Sequence, residues 1–293
     1  MAEVCLGTAQ FGMQYGIANK TGKPSKKDIK KIIKYSIDSE ICYFDTAQSY
    51  GESEIALGKT FKDFDDSINL NVVTKLSPEL DISDLKSVIS SVNQSIKNLN
   101  INILYGLLAH RFESIRDRFF DNSIKLLKKN KLIKYSGVSV YTPQEALYAL
   151  NLDSIDIIQI PFNIFDRRWL DLGVFEIASM QQKKIFVRSI FLQGFIFLSN
   201  QDLEKKNMSW ALKYLKEFNK LVSCTPYSFQ ELTFMALKLL PIDVHVIMGV
   251  DNLSHLKDNL NTYNRVEKDK MAIRLWWENL PKYPERILNP TLW

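Results

Sequence analysis

An acidic and a phenolic side chain lie five residues apart in the segment 45–54, which reads DTAQSYGESE. Asp45 directly follows the short apolar run 41–44, a pattern typical of a buried strand, and residues 52–60 have the apolar spacing of a helix. Asp45 and Tyr50 are therefore predicted at the carboxyl end of a strand. A carboxylate and a phenol at this spacing can share a proton, which indicates an enzyme.

A lysine and a histidine follow the next two predicted strands. Lys75 closes the strand-like run 70–74, and His110 closes the run 103–109. Taken singly, the aspartate is a common helix cap, the lysine a common solvated residue and the histidine a common core residue. Four residues able to do chemistry therefore fall on three successive strand ends, a coincidence that chance rarely produces.

Strand and helix patterns alternate along the whole chain. Strand-like runs cover residues 4–7, 42–45, 69–75, 103–110, 134–140, 155–162, 184–190 and 244–249, and nearly every interval has a helical period. Eight such units imply parallel strands closed into a barrel. We predict an α/β fold, a single-domain (β/α)8 TIM barrel over residues 1–293, with an inserted helix after strand seven and a C-terminal tail over 271–293.

The ends of several helices are also predicted from capping residues. Ser25, Ser53, either Asp81 or Ser83, and Thr142 are expected to precede helices, the last with a capping box. After strand seven we expect a loop over 192–207, then helices over 209–222 and 228–240. With two helices before the next strand, this unit is expected to carry an inserted helix.

Composition excludes several classes of function. The chain has 38 basic and 33 acidic residues, a net charge of +5, and its densest basic block, 26–34, has the spacing of a solvated helix face. We expect no nucleic-acid binding, and the three cysteines and three histidines have no metal-ligand spacing. With no signal peptide or membrane-spanning apolar run, a cytoplasmic protein without a membrane partner is expected. Monomer and homo-oligomer both stay open.

The segment 45–54 resembles the Asp-Thr-Ala-x-x-Tyr-Gly-x-Ser-Glu signature of the aldo-keto reductases, which also use a lysine and a histidine. The resemblance implies that Tyr50 is the general acid in reduction and the base in oxidation. It also implies that Lys75 and Asp45 tune this tyrosine and that His110 positions the substrate. We expect the Lys75 ammonium to lower the pKa of Tyr50 from about 10, while Asp45 keeps Lys75 charged.

The resemblance also implies a cofactor site. No Gly-x-Gly-x-x-Gly motif follows a strand, and the family binds a nicotinamide nucleotide across the carboxyl-end face of its barrel. Ser139 and Gln159 match residues that hold the carboxamide, and Arg188 stands where many members stack an aromatic ring on the nicotinamide. The other cofactor residues implied are Gly7, Thr8, Asp45, Leu192, Gly194, Asp251, His255, Asp258 and Asn259.

Asp251 bears on the choice of cofactor. Members that use NADP(H) tend to have arginine, lysine or serine near this position, whereas a carboxylate would repel the 2′-phosphate. Lys257 and His255, one turn away, offer compensating positive charge. NADP(H) is therefore favoured, with NAD(H) as the alternative.

The leading hypothesis is an NAD(P)H-dependent reductase of a small carbonyl compound: an aldehyde, a ketone or a keto sugar. Arg111 follows His110 directly, where it meets either an anionic group of the substrate or Glu113. Segments 159–168 and 187–194 resemble bacterial members associated with surface-sugar biosynthesis. A nucleotide-binding regulatory subunit of the same fold and a barrel lyase or isomerase are the alternatives. The predicted substrate residues are Phe11, Tyr15, Arg111, Tyr141 and Phe165.

Overall fold

A closed barrel of parallel strands forms the centre of the computed structural model, which describes residues 2–65 and 68–293. Over these residues eight strands pair in chain order, and the eighth pairs with the first. The strands are β1 (Glu3–Gly7), β2 (Tyr43–Asp45), β3 (Asn71–Lys75), β4 (Leu104–Ala109), β5 (Ile133–Ser139), β6 (Ile157–Pro161), β7 (Lys184–Arg188) and β8 (Val244–Gly249). The predicted (β/α)8 barrel is confirmed.

Helices surround this barrel and cover its outer face. They are α1 (Ala9–Gly12), α2 (Lys26–Asp38), α3 (Ser53–Phe61), α4 (Leu85–Leu99), α5 (Arg118–Lys129), α6 (Pro143–Leu150), α7 (Arg168–Asp171), α8 (Val174–Met180), α9 (Asn200–Lys205), α10 (Leu212–Ser223), α11 (Phe229–Lys238), α12 (Leu253–Arg265), α13 (Lys270–Asn279) and α14 (Glu285–Leu288). Short 3₁₀ helices cover Phe112–Arg116, Leu192–Phe197, Ser209–Ala211 and Pro290–Leu292. None of the described helices is long and apolar enough to cross a membrane.

Two of the predicted helix caps are confirmed and two are wrong. Ser25 caps α2, and Thr142 forms the predicted capping box of α6. Ser53 is instead the first residue of α3, because its hydroxyl is bonded to Thr8 in the buried interior. The cap predicted for the helix after β3 is also wrong. Asp84 caps α4, whereas Asp81 and Ser83 bond to each other.

The segment after β7 is more ordered than the sequence predicts. The expected loop 192–207 contains the 3₁₀ helix Leu192–Phe197 and then α9, whose N-terminus is closed by a Ser199 capping box. Both predicted helices, α10 and α11, lie between β7 and β8, so this unit does carry an inserted helix, and α11 lies close to its predicted bounds. In the tail, α13 docks on the barrel, where the Trp276 indole donates to the carbonyl of Ile164 at 3.1 Å.

The hydrophobic core has two parts. Side chains that point into the barrel form one cluster: Cys5, Val73, Tyr105, Leu108, Ile157, Phe186 and Ile247. A much larger cluster fills the space between the strands and the helices. Because the strands are parallel, all their carboxyl ends lie on one rim, and this rim carries the polar residues considered next.

Candidate active site

The centre of the rim holds a buried ion pair. The Lys75 ammonium, at the end of β3, donates to Asp45 Oδ1 at 2.7 Å and to the carbonyl of Thr46 at 2.8 Å. The two charged side chains are 1% and 7% exposed. The Gln159 amide, from β6, donates to the same Asp45 oxygen at 2.7 Å. Each charge is therefore compensated, as buried charges must be.

Tyr50 and His110 lie against this pair. The Lys75 nitrogen is 5.1 Å from the centre of the Tyr50 ring, and the His110 ring is 5.9 Å from the same ring in an edge-on arrangement. The Nδ1 atom of His110 lies 3.2 Å from the Ser49 hydroxyl. The structure thus brings together the four residues that the sequence predicted at three strand ends.

Two glycines let the turn that carries Tyr50 cross the short helix α1. A Cβ atom on Gly12 would lie 1.5 Å from the Tyr50 carbonyl oxygen. Gly51 has a φ of +55°, and its own Cβ would lie 2.5 Å from the Gly12 oxygen. Because no side chain fits between these backbones, glycine at both positions sets where Tyr50 sits.

The electrostatics of Tyr50 differ from the sequence-based expectation. Burial raises the pKa of Tyr50 well above its ordinary value, the Asp45 carboxylate raises it further, and the Arg188 guanidinium opposes them. The expected lowering by Lys75 is wrong, since Asp45 at 2.7 Å compensates the ammonium. The phenol therefore keeps its proton at neutral pH.

His110 is uncharged at neutral pH. Burial lowers its pKa to about 4, and the positive charges of Lys75, Arg188 and Arg111 act in the same direction. A neutral imidazole still donates one N–H bond. The site thus presents two donors, the phenol and the imidazole, beside one compensated ion pair.

A cavity of about 410 Å³ opens beside Tyr50. Its wall comes from the ends of β1 and β8, the loop after β7 and helix α12. Many of the predicted cofactor residues line it: Gly7, Thr8, Asp45, Arg188, Gly194, Asp251, His255, Asp258 and Asn259. The cavity thus runs from the ion pair at the barrel centre to α12 at its periphery.

Three predicted cofactor residues do not line this cavity. Gln159 is fully buried, and its amide donates to Asp45 from outside the cavity lining. Ser139 is 3% exposed, with its hydroxyl 3.4 Å from Gln159 Oε1. Leu192 is fully buried in the hydrophobic core. All three are buried outside the lining of the cavity.

The predicted substrate aromatics divide in the same way. Tyr15 lines the cavity, and its hydroxyl accepts a bond from Gln193 at 3.0 Å. Phe11 is fully buried in the core, and Phe165 stacks on Phe218 with ring centres 3.7 Å apart. Predicting Phe11 and Phe165 as substrate contacts does not fit these positions, because their rings are covered by other side chains.

Arg111 also lies outside the cavity. Its side chain is 59% exposed and pairs with Glu79 at 3.6 Å, rather than with Glu113. Arg111 directly precedes the 3₁₀ helix Phe112–Arg116 and has an extended backbone. A direct contact with a bound substrate does not fit this placement.

The loop after β7 contributes wall residues that the sequence did not identify. Ser189 and Gln193 line the cavity, and both have left-handed backbone conformations, with φ of 58° and 52°. Such conformations cost about 1–3 kcal/mol each and tend to occur at functional sites. The Gln193 carbonyl accepts from Ile17 N–H at 3.1 Å, which joins this loop to the one after β1. Of the residues in this loop that line the cavity, the sequence had predicted only Gly194.

The cavity wall fits a nicotinamide nucleotide. A Cβ on Gly7 would lie 2.9 Å from an Ile247 methyl group, and one on Gly194 would lie 2.5 Å from Ala18, so the close packing of the wall at these two positions requires glycine. Asn252 caps α12 next to the cavity, and the N-terminus of this 13-residue helix favours anions. Over the described residues, no group of three or more metal-ligating side chains was found.

Comparisons with known proteins agree with this geometry. The model of the aldo/keto reductase family matches residues 3–278. Aldo-keto reductase AKR11C1 from Bacillus halodurans has a TM-score of 0.76 at 17% identity, covering 96% of this chain and 92% of that one. PA4992 of Pseudomonas aeruginosa, assigned as an aldo-keto reductase, has a TM-score of 0.67 at 22% identity and covers 90% of each chain.

A third structure, the thermostable aldo-keto reductase Tm1743 in complex with the inhibitor epalrestat, has a TM-score of 0.68 at 20% identity, covering 94% of each chain. At these identities the likeness shows the fold. No protein of curated function matches the sequence significantly. Because the family model covers nearly the whole chain, this protein belongs to the aldo/keto reductase family and is an NAD(P)H-dependent oxidoreductase.

Proposed function

We propose that this protein reduces an aldehyde, a ketone or a keto sugar, taking the proton from Tyr50. The observation that carries the proposal is the protonated Tyr50 phenol, which lines the cavity beside neutral His110 and against the Lys75–Asp45 pair. The bound nicotinamide nucleotide supplies the hydride. The residues of this chain supply the proton and the orientation of the carbonyl group.

The proposed proton transfer follows from the contacts of each residue. As negative charge develops on the carbonyl oxygen, the Tyr50 hydroxyl donates its proton to it. When Nδ1 of His110 accepts from Ser49, Nε2 carries the ring proton and donates to the same oxygen. The Lys75 ammonium, held by Asp45, and the Arg188 guanidinium then lie near the phenolate that forms. Preorganised donors of this kind are most effective in a site shielded from water.

We further propose NAD(H) as the cofactor, in place of the NADP(H) that the sequence favours. The carboxylate of Asp251 lines the cavity at its α12 end together with Asp258. Of the cations expected to compensate, His255 lies 3.8 Å from the Asp251 carboxylate, and the Lys257 ammonium lies over the Tyr35 ring, 5.1 Å from its centre, outside the cavity lining. Two carboxylates disfavour an additional phosphate at this end.

Two narrower statements stay predictions. A role in bacterial surface-sugar biosynthesis rests on the resemblance of segments 159–168 and 187–194 to members with that association. A cytoplasmic location rests on the sequence alone.

The function is tested by following NAD(P)H consumption with a panel of aldehydes, ketones and keto sugars. We expect substrate-dependent oxidation by the wild type and a loss of about 10²–10⁴-fold in the rate constant for Tyr50→Phe, because one transferable proton is removed. Tyr148→Phe is the matched control, since Tyr148 is 44% exposed and packs against Phe112 outside the cavity.

The alternatives give different results in the same assay. A regulatory subunit would bind the nucleotide without substrate-dependent oxidation, and a lyase or isomerase would convert its substrate without consuming NAD(P)H. Turnover of Tyr50→Phe within a few-fold of the wild type would exclude Tyr50 as the acid.

A further inference from the structure

Arg188 places a cationic side chain in the wall of the cavity. The residue ends β7 and is half-buried, and it lines the cavity together with Tyr15 and Tyr50. Its Nη2 atom donates to the carbonyl of Val140 at 3.1 Å, and its guanidinium carbon lies 4.4 Å from the centre of the Tyr141 ring. These two contacts hold the guanidinium at the rim.

The charge of Arg188 has no protein counter-ion over residues 2–65 and 68–293. Arg188 forms no ion pair there, and Asp45, the acid nearest the reacting groups, is already bonded to Lys75 and Gln159. Of the five N–H donors of a guanidinium, the Val140 carbonyl takes one. Half-buried cations are usually paired, and a guanidinium fork matches carboxylate and phosphate geometry.

The position of Arg188 ties this free charge to the reacting groups. Its field lowers the pKa of Tyr50 and of Tyr15 against the effect of burial, and it adds to the lowering of the pKa of His110. Because Arg188 and Tyr50 line the same cavity, an anionic group bound by Arg188 would share that cavity with the carbonyl oxygen that Tyr50 protonates. Arg111, which the sequence suggested for an anion, is exposed and already paired with Glu79.

We propose that Arg188 determines substrate specificity by binding a carboxylate or a phosphate of the carbonyl compound, a few bonds from the carbon that is reduced. The substrate class is then an anionic oxo compound, either an oxo acid or a phosphorylated sugar. This inference rests on the proposed reductase function.

The test compares matched anionic and neutral substrates with the holoenzyme. The pairs are 4-carboxybenzaldehyde against 4-nitrobenzaldehyde for the carboxylate, and glyceraldehyde 3-phosphate against glyceraldehyde for the phosphate. The readout is the ratio of kcat/KM within each pair, so that a loss common to both members cancels. Dissociation constants for NADH and NADPH are measured separately by fluorescence, without turnover.

We expect the wild type to prefer the anionic member of at least one pair. Arg188→Met should lower that ratio by about 10- to 100-fold, because a hydrogen-bonded charge contact is lost. Arg188→Lys, which keeps the charge without the fork, should retain part of the preference. Arg111→Met is the control and should leave the ratio unchanged. If Arg188→Met does not fold, the lysine variant carries the comparison.

Several outcomes would overturn the inference. Equal losses on both members of each pair, with weaker binding of the nucleotides, would show that Arg188 acts on the cofactor instead. Loss of the preference in Arg111→Met alone would assign the anion to Arg111. A wild type that reduces neutral aldehydes with no anionic preference refutes this inference only, whereas no reduction of any carbonyl compound refutes the proposed function itself.

Discussion

Removing the Lys75 ammonium tests how much the buried pair at the barrel centre contributes to stability. Lys75 is 1% exposed, and its ammonium makes bonds of 2.7 Å to Asp45 and 2.8 Å to the Thr46 carbonyl. Lys75→Met keeps most of the side-chain volume and deletes both bonds. Among residues 2–65 and 68–293, the Gln159 amide is then the remaining side-chain donor to the Asp45 carboxylate.

The expected cost follows from that burial. Deleting one partner of a buried ion pair costs about 3–5 kcal/mol, because the other charge stays desolvated. Asp45→Asn should cost a similar amount, since it leaves the buried Lys75 ammonium without a negative counter-charge. In the double variant neither charge is left, so its loss should be smaller than the sum of the single losses by about 2 kcal/mol or more.

Urea denaturation at pH 7 measures these free energies of unfolding. The control is Lys128→Met, because the Lys128–Asp156 pair has a similar distance, 2.6 Å, with about a third of each side chain exposed. We expect that control to cost at most about 1 kcal/mol, since solvent screens the pair. A Lys75→Met loss no larger than that of the control, or strictly additive losses in the double variant, would refute the reasoning.

The remaining predictions concern the cofactor and pH. Asp251→Arg is expected to shift the ratio of NADPH to NADH affinities toward NADPH by about 5–150-fold, measured by fluorescence titration at two salt concentrations; an unchanged ratio would show that Asp251 does not act on the cofactor. Burial lowers the pKa of His245 from 6.5 to about 4, so between these values the unfolded chain binds more protons than the folded protein. Stability should therefore fall as pH falls through this window, and the Glu3 carboxylate, 3.3 Å from His245 Nδ1, limits the loss because it favours the imidazolium. His245→Gln should have a shallower slope in urea melts from pH 7 to pH 4, and equal slopes would contradict this.

The sequence by itself determined the barrel and the convergence of the four side chains proposed to be catalytic. Both follow from local rules: strand and helix periods span a few residues, and a side chain at the end of a parallel strand must lie on the common rim. Asp45 and Tyr50 are separated by one turn, so their proximity needed little more than the placement of β2. The positions of Lys75 and His110 follow in the same way from where the next two strands, β3 and β4, end.

The tertiary structure alone decided what surrounds those side chains. The Gln159 amide donates to Asp45, which is 114 residues away in the chain. Phe165 stacks on Phe218. Neither residue lines the cavity. The pKa of Tyr50 rises because burial and the Asp45 carboxylate together outweigh the Arg188 guanidinium. The free charge of Arg188 depends likewise on which carboxylates approach it. Burial and charge balance are sums over residues distant in sequence, and no local pattern encodes them.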